Sequence, residues 1–474
     1  MTKTKFLFLS DPIILAFLIP LFYWIYLFST TEMIMVYDAL SFERFGSILF
    51  NSGWVRFFQT KPESEPLFPF FISISMTIAQ YFSVPYQFIQ KFFHMGSLFL
   101  TQLLSLYILK KLNVGRSLIA GTIFYLGISP ALVNSAFSLW SEIMTYPFVL
   151  GIVMISLQSW KAILHKEKGD VALHAVVLAV LFILITCVKA IFEYVFWIYC
   201  LPFFYLIISS WIKRSQRILI HSCLFYLVLI FIFYSFLLSY KSVNQKMNGH
   251  FVITISGPSL LYGTVAQRTQ PLTSKEFFSC LASIPGQGVC ERIFDPPQCF
   301  HWSLIAADQI GYTKLYELNN KGVPNERISK ELVHLTTLRI IQNPWQYAFL
   351  TILESFKMFF WESTKIGFVH YPVWLSKIFD FSPFKDGLRF LVFLITFFSV
   401  VYVTRYILNK RLQIFSDNSH ENSKADLLFF ILLFIFSYLA LYSLFHINTR
   451  YALPIAPLYL ILCAYTIHKI TAKK

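Results

Sequence analysis

Apolar runs long enough to cross a bilayer recur from one end of the chain to the other, and this feature limits the fold more than any other. In lipid a spanning segment must satisfy its own backbone hydrogen bonds, so repeated runs of this length imply helices. The composition agrees, with 57% hydrophobic, 19% aromatic and only 13% charged residues. The expected fold class is an all-α polytopic membrane protein. The first run, DPIILAFLIPLFYWIYLF, continues into bulky aromatics without a small-residue cleavage site, so it is expected to be a span rather than a signal peptide.

The formal charge of +15 does not point to nucleic acid, because the basic residues sit in short clusters between apolar runs rather than along one face. Six clusters, Lys3/Lys5, Lys110/Lys111/Arg116, Lys161/Lys166/Lys168, Lys213/Arg214/Arg217, Lys410/Arg411 and Lys469/Lys473/Lys474, should all be cytoplasmic. Counting residues 66–82 as a full span would break that parity. With Pro66 and Pro69 at its start and barely enough length, this run reads instead as a re-entrant or interfacial helix. Ten spans follow, near 11–28, 86–109, 117–134, 143–160, 171–188, 191–212, 218–240, 387–408, 426–445 and 453–469. The organisation is then a membrane module over 1–240 with a first outer loop at 29–85, an outer lid over 241–386 with membrane-skimming helices, and C-terminal spans over 387–474. No internal repeat stands out.

This topology brings Asp38, Glu142, Lys189, Arg268, His446 and Arg450 to one outer face, near span ends. Each has an ordinary explanation. Asp38 suits a helix cap, Glu142 suits a first helical turn, and Lys189 and Arg450 suit interfacial anchors. Together they suggest a cleft with a proton acceptor and a phosphate clamp, matched to a lipid-phosphate substrate. Asp38, Phe42, Phe45 and Leu49 share one helical stripe, which predicts that the carboxylate faces inward with the apolar side chains. Cys280, Cys290 and Cys299 lie in the polar segment, where three thiols allow at most one intrachain disulfide.

The order and spacing of several motifs resemble the GT-C superfamily of integral-membrane glycosyltransferases, and in particular its protein O-mannosyltransferase and aminoarabinose transferase group. These are YDALSFERFG after the first span, SEPLFPFF (64–71), SLWSEIMTYPF (138–148), SGPSLLYGTVAQR (256–268) and HINTRYALPIAP (446–457). The first loop lacks an Asp-x-Asp pair, the second acid is Glu142 where many members carry Asp, and Lys189 stands where many relatives show an Arg-Pro pair.

The resemblance implies a GT-C-like bundle of about ten transmembrane helices with interfacial helices and a large extracytoplasmic loop. It also implies transfer of a sugar from a polyprenyl-phosphate carrier to a glycan, lipid or protein acceptor, with inversion, most naturally at the extracytoplasmic face of a bacterial inner membrane. Asp38 would be the general base, and Glu142 would orient the acceptor or a partner side chain. Lys189, Arg268, Arg450 and His446 would meet the lipid phosphate. No cofactor is demanded, although a divalent metal is compatible. The rival readings are a lipid-linked glycan polymerase or ligase, which shares the substrate class, and a transporter or flippase, for which repeats and mid-membrane charges would be expected.

Overall fold

The computed structural model describes residues 11–60, 64–165, 170–254, 257–323, 325–364, 368–413, 422–445 and 447–472. Among them, nine helices are long and apolar enough to cross a membrane, or ten if one bent pair counts as a span. The protein is thus an all-α multi-pass bundle, as its apolar runs dictate. Glu142–His165, Asn422–Leu444 and the segment Thr449–Thr471 are the most enclosed elements, and Pro12–Thr30 lies at the periphery.

Contacts between helix ends fix the parity. Asp11, which caps Pro12–Thr30 by accepting from the Ile13 N–H at 3.0 Å, is ion-paired with Arg116 at the start of Arg116–Ile128. At the other end of the bundle, the Tyr86 hydroxyl, which opens Tyr86–Lys111, donates to Glu43 Oε1 at 2.7 Å. Residues 43 and 86 therefore share an end, and the intervening apolar helix Leu67–Phe82, at 16 residues, is shorter than the helices long enough to span.

The expected third span is broken. Arg116–Ile128 and Pro130–Phe137 meet at a bend of 44°. Pro130 has no N–H to continue the ladder and pushes Ser129 out of the helical region, to φ −51° and ψ 121°. The N–H groups freed at the break need acceptors. Glu362, fully buried and 232 residues beyond Pro130 in sequence, supplies them. Its carboxylate accepts from the Ala131 N–H at 2.9 Å, the Ser129 hydroxyl at 2.6 Å and the Tyr125 hydroxyl at 2.7 Å.

Between the first span and Tyr86, the helix Asp38–Gln59 packs on Leu67–Phe82. The two approach so closely at Gly46 that an added Cβ would lie 2.5 Å from Ile72 Cγ2. Gly53, at φ +73°, breaks Asp38–Gln59 and turns its last residues, placing Phe57 and Phe58 against Phe45 and Tyr240.

Gln216–Asn248 and Ser382–Gln413 run beyond the expected span limits. At 33 residues, the first is about 50 Å long, so its C-terminal turns stand clear of a core of about 30 Å. The long segment between them is built of short helices, including Ser274–Ser283 with a Thr273/Glu276 capping box. Cys290 and Cys299 form a disulfide, and Cys280 remains a buried thiol. A two-residue antiparallel ladder, Glu32–Met33 with Val369–His370, ties this segment to the exit of the first span. Nothing in the apolar periodicity announces so short a pairing.

Candidate active site

Four elements distant in sequence converge on one charge cluster at the end of the bundle shared by residues 43 and 86. Arg450 is its hub. It lies in the 3₁₀ turn Thr449–Ile455, where the Asn448 side chain caps the Arg450 N–H at 3.3 Å. Its Nη2 donates to Asp38 Oδ2 at 2.6 Å, and its Nε lies 3.0 Å from Glu142 Oε1. The guanidinium sits over the Trp140 ring, 4.7 Å from the centroid, a contact that orients it as well as stabilising its charge.

Glu142 opens Glu142–His165 and is only 1% exposed. Besides Arg450, its Oε1 meets Lys189 Nζ at 3.1 Å. Lys189 reaches there from the break between Asp170–Val188 and Phe192–Ile212 and also lies 5.7 Å from the Tyr451 ring centroid. A carboxylate this deeply buried is tolerable only with such partners, and two cations on one oxygen provide them.

Asp38 is placed differently from the sequence expectation. Phe42, Phe45 and Leu49 are buried as their stripe predicts, but Asp38 is 50% exposed. It is the first residue of its helix, so its side chain projects beyond the layer that covers the next turns. The N-cap is Tyr37, which makes no side-chain capping bond and holds φ +49° and ψ −121°. That conformation is costly for a bulky residue, and strain beside a charged, exposed carboxylate is characteristic of functional sites.

Glu65, absent from the sequence-derived set, belongs beside this cluster. Its Oε1 accepts from the Ala190 N–H at 2.9 Å and so holds the turn that carries Lys189. Burial pushes its carboxyl above the usual range, against the opposing pull of Lys189 and of the hydrogen bond from Ala190. The only sequence signal was its place in SEPLFPFF, an acid immediately before the proline of an interfacial helix.

The other two sequence candidates lie apart from the cluster or outside the described residues. His446 falls outside them. Arg268 ends Gly257–Arg268 and is fully buried in a second network. Its Nε donates to Glu354 Oε2 at 2.7 Å, and its Nη1 donates to the Thr351 hydroxyl at 2.9 Å and to the Ser443 carbonyl at 2.6 Å. Lys357 completes the network, with Nζ 2.6 Å from Glu354 Oε1. Burial alone would raise the Glu354 carboxyl, but Lys357 and Arg268 outweigh it and bring the group down to about 2. Among the described residues, no group of three or more His, Cys, Asp or Glu side chains is arranged to hold a metal ion.

No protein-family model and no curated protein matches the sequence. Among solved structures, the chain is similar to the archaeal oligosaccharyltransferase AglB from Archaeoglobus fulgidus, in complex with an inhibitory peptide and a dolichol-phosphate. The TM-score is 0.42 at 11% identity, over 92% of this chain and 46% of that one, so the chain spans about half the length of that protein. A likeness this loose does not transfer chemistry, which must come from the side chains.

Proposed function

We propose that the protein is an integral-membrane glycosyltransferase of GT-C type that moves a sugar from a polyprenyl-phosphate carrier to an extracytoplasmic acceptor with inversion. The observation that carries this reading is the continuous chain Asp38–Arg450–Glu142–Lys189, in which one accessible carboxylate and two cations surround a buried carboxylate.

The division of labour follows from burial. Glu142, enclosed on its oxygen side by both cations, positions Lys189 and Arg450 and does not meet the acceptor. Of Glu142's two proposed roles, alignment of partner side chains is the one its environment favours. Lys189 and Arg450 would receive the carrier's phosphate and stabilise the charge that grows on it as the sugar leaves. Asp38, half exposed at the mouth, is the general base. It would take the proton of the acceptor hydroxyl as that oxygen bonds to the anomeric carbon and the bond from carbon to phosphate oxygen breaks on the opposite face. A single displacement of this kind inverts the anomeric centre.

Arg450 gives the two substrates a link. A phosphate that pairs with its guanidinium competes with Asp38 for Nη2, so donor binding loosens the contact that otherwise occupies the base. A sheltered lipid tail fits the same end of the bundle, where the short apolar helix Leu67–Phe82 packs between Asp38–Gln59 and Tyr86–Lys111. The test is reconstitution of the full chain in liposomes with a polyprenyl-phosphate sugar and an acceptor extract, followed by mass spectrometry of the products. Sugar transfer that disappears in Asp38→Asn supports the reading. Movement of intact lipid-linked sugar across the bilayer without formation of a glycosidic bond would favour a flippase instead.

A further inference from the structure

We propose that Tyr37 and Phe368 form an acceptor subsite that takes the ring of a neutral pyranose and presents one of its hydroxyls to Asp38. The proposal rests on the transferase reading and narrows its acceptor to a glycan. Three aromatic rings lead from the hub of the charge cluster to the surface. Trp140 carries the Arg450 guanidinium on its ring, Phe368 meets Trp140 edge to face with 5.2 Å between centroids, and Tyr37 lies 6.0 Å from Phe368. Trp140 is buried, whereas Tyr37, at the outer end of the row, is 75% exposed. Its chain neighbour Asp38 is the accessible carboxylate of the cluster.

The backbone holds both outer rings in place. Phe368 belongs to the outer segment, and its carbonyl accepts from the Ile34 N–H at 2.8 Å, beside the ladder that pairs Glu32–Met33 with Val369–His370. Tyr37 keeps φ +49° without a side-chain capping bond, so a bulky, exposed ring is held next to the acid at a conformational cost that capping does not explain. The face of an aromatic ring carries negative partial charge and attracts the C–H side of a sugar ring. A carboxylate accepts from the hydroxyls at the rim of that sugar. An acyl chain would use the rings but strip water from the carboxylate without replacing it, and a peptide would bring amide groups that ring faces do not match. A pyranose satisfies both.

The experiment is saturation-transfer NMR of the full-length protein in phosphatidylcholine nanodiscs. The probes are methyl β-glucopyranoside, methyl β-galactopyranoside and methyl α-mannopyranoside, with a serine- and threonine-containing peptide as the contrast. At least one pyranoside should bind, with saturation strongest on its ring C–H protons. Its dissociation constant should rise roughly fivefold or more in Tyr37→Ala and stay near that of the wild type in Tyr37→Phe, which keeps the ring face. Phe368→Leu retains apolar volume and leaves residue 37 untouched, so weaker binding there as well guards against local unfolding around Tyr37. Absence of pyranoside saturation, whether or not the peptide binds, or unchanged affinity in Tyr37→Ala overturns the proposal. Binding needs neither donor nor turnover, so such a failure leaves the transferase reading to its own test, the loss of sugar transfer in Asp38→Asn.

Discussion

The two buried charge networks use the same residue types in opposite proportions. Around Arg450, two carboxylates and two cations balance, and the group left accessible is an acid, Asp38. Around Arg268, one carboxylate faces two cations, and the group left with an unmatched hydrogen is a guanidinium. The first arrangement leaves a carboxylate at an open edge, whereas the second is closed and leaves its surplus positive charge inside the protein. Residues 443–450 connect them, because the Ser443 and Leu444 carbonyls accept from Arg268 and Tyr347 while Arg450 serves the other cluster.

The sharpest way to break this contrast is Asp38→Asn. Tyr37, not Asp38, is the helix N-cap, so loss of the carboxylate removes no cap. Thermal stability should stay near that of the wild type while transfer falls by roughly two to four orders of magnitude. A variant that transfers at full rate would remove Asp38 from the mechanism. Glu142→Gln should behave differently, since it leaves two cations around a neutral amide. Stability should fall by about 3 kcal/mol together with activity, read as a lower denaturation midpoint in detergent. Equal stability of the two variants would erase the distinction between base and positioning residue.

The second network should reveal itself through acid. The folded-state carboxyl of Glu354 sits at about 2, below its ordinary value of 4.5, so its contribution is complete above pH 4.5 and is lost as pH falls towards 2. The shift corresponds to on the order of 3 kcal/mol. Protection from hydrogen exchange across 257–283, relative to the intrinsic rate at each pH, should therefore fall only below about pH 4.5 in the wild type, whereas Glu354→Gln should be poorly protected already at neutral pH. Flat protection down to pH 2 in both proteins would show that the pair does not hold this region. The smallest effect is expected at Tyr37→Gly. Relief of the positive φ should offset the added freedom of the unfolded chain to within about 1 kcal/mol, with transfer reduced severalfold because Asp38 is less firmly aimed. Steady-state rates and melting curves on the same preparation would check it.

Much of this organisation was readable in the sequence, and the boundary of what was readable has physical causes. A marginal apolar length marked residues 66–82 as shorter than a span, and the helix there, Leu67–Phe82, has only 16 residues. Asp38, Glu142, Lys189 and Arg450 could be nominated together because each stands at a span end, and span ends at one face must meet. Depth was harder to read. The stripe through Phe42, Phe45 and Leu49 gave the direction of Asp38 but not that the packing ends one turn short of it. The pairing of Arg268 with Glu354 was not legible because Glu354 lies 86 residues away, with no local signal that links the two. The bend at Ser129 was missed by the uninterrupted span expected at 117–134 although Pro130 lies within it, and Glu362, which fills the bend, carries no local mark of that role.

The separation of 412 positions between Asp38 and Arg450 also sets a timetable for biogenesis. At a synthesis rate of roughly 5 to 20 residues per second, Arg450 follows Asp38 from the ribosome by tens of seconds. During that interval Glu142 has already been delivered to the membrane without its principal counter-ion. Lys189, only 47 positions after Glu142, arrives far sooner. The pair between them, 3.1 Å apart in the finished protein, joins residues that are both made before the last helix.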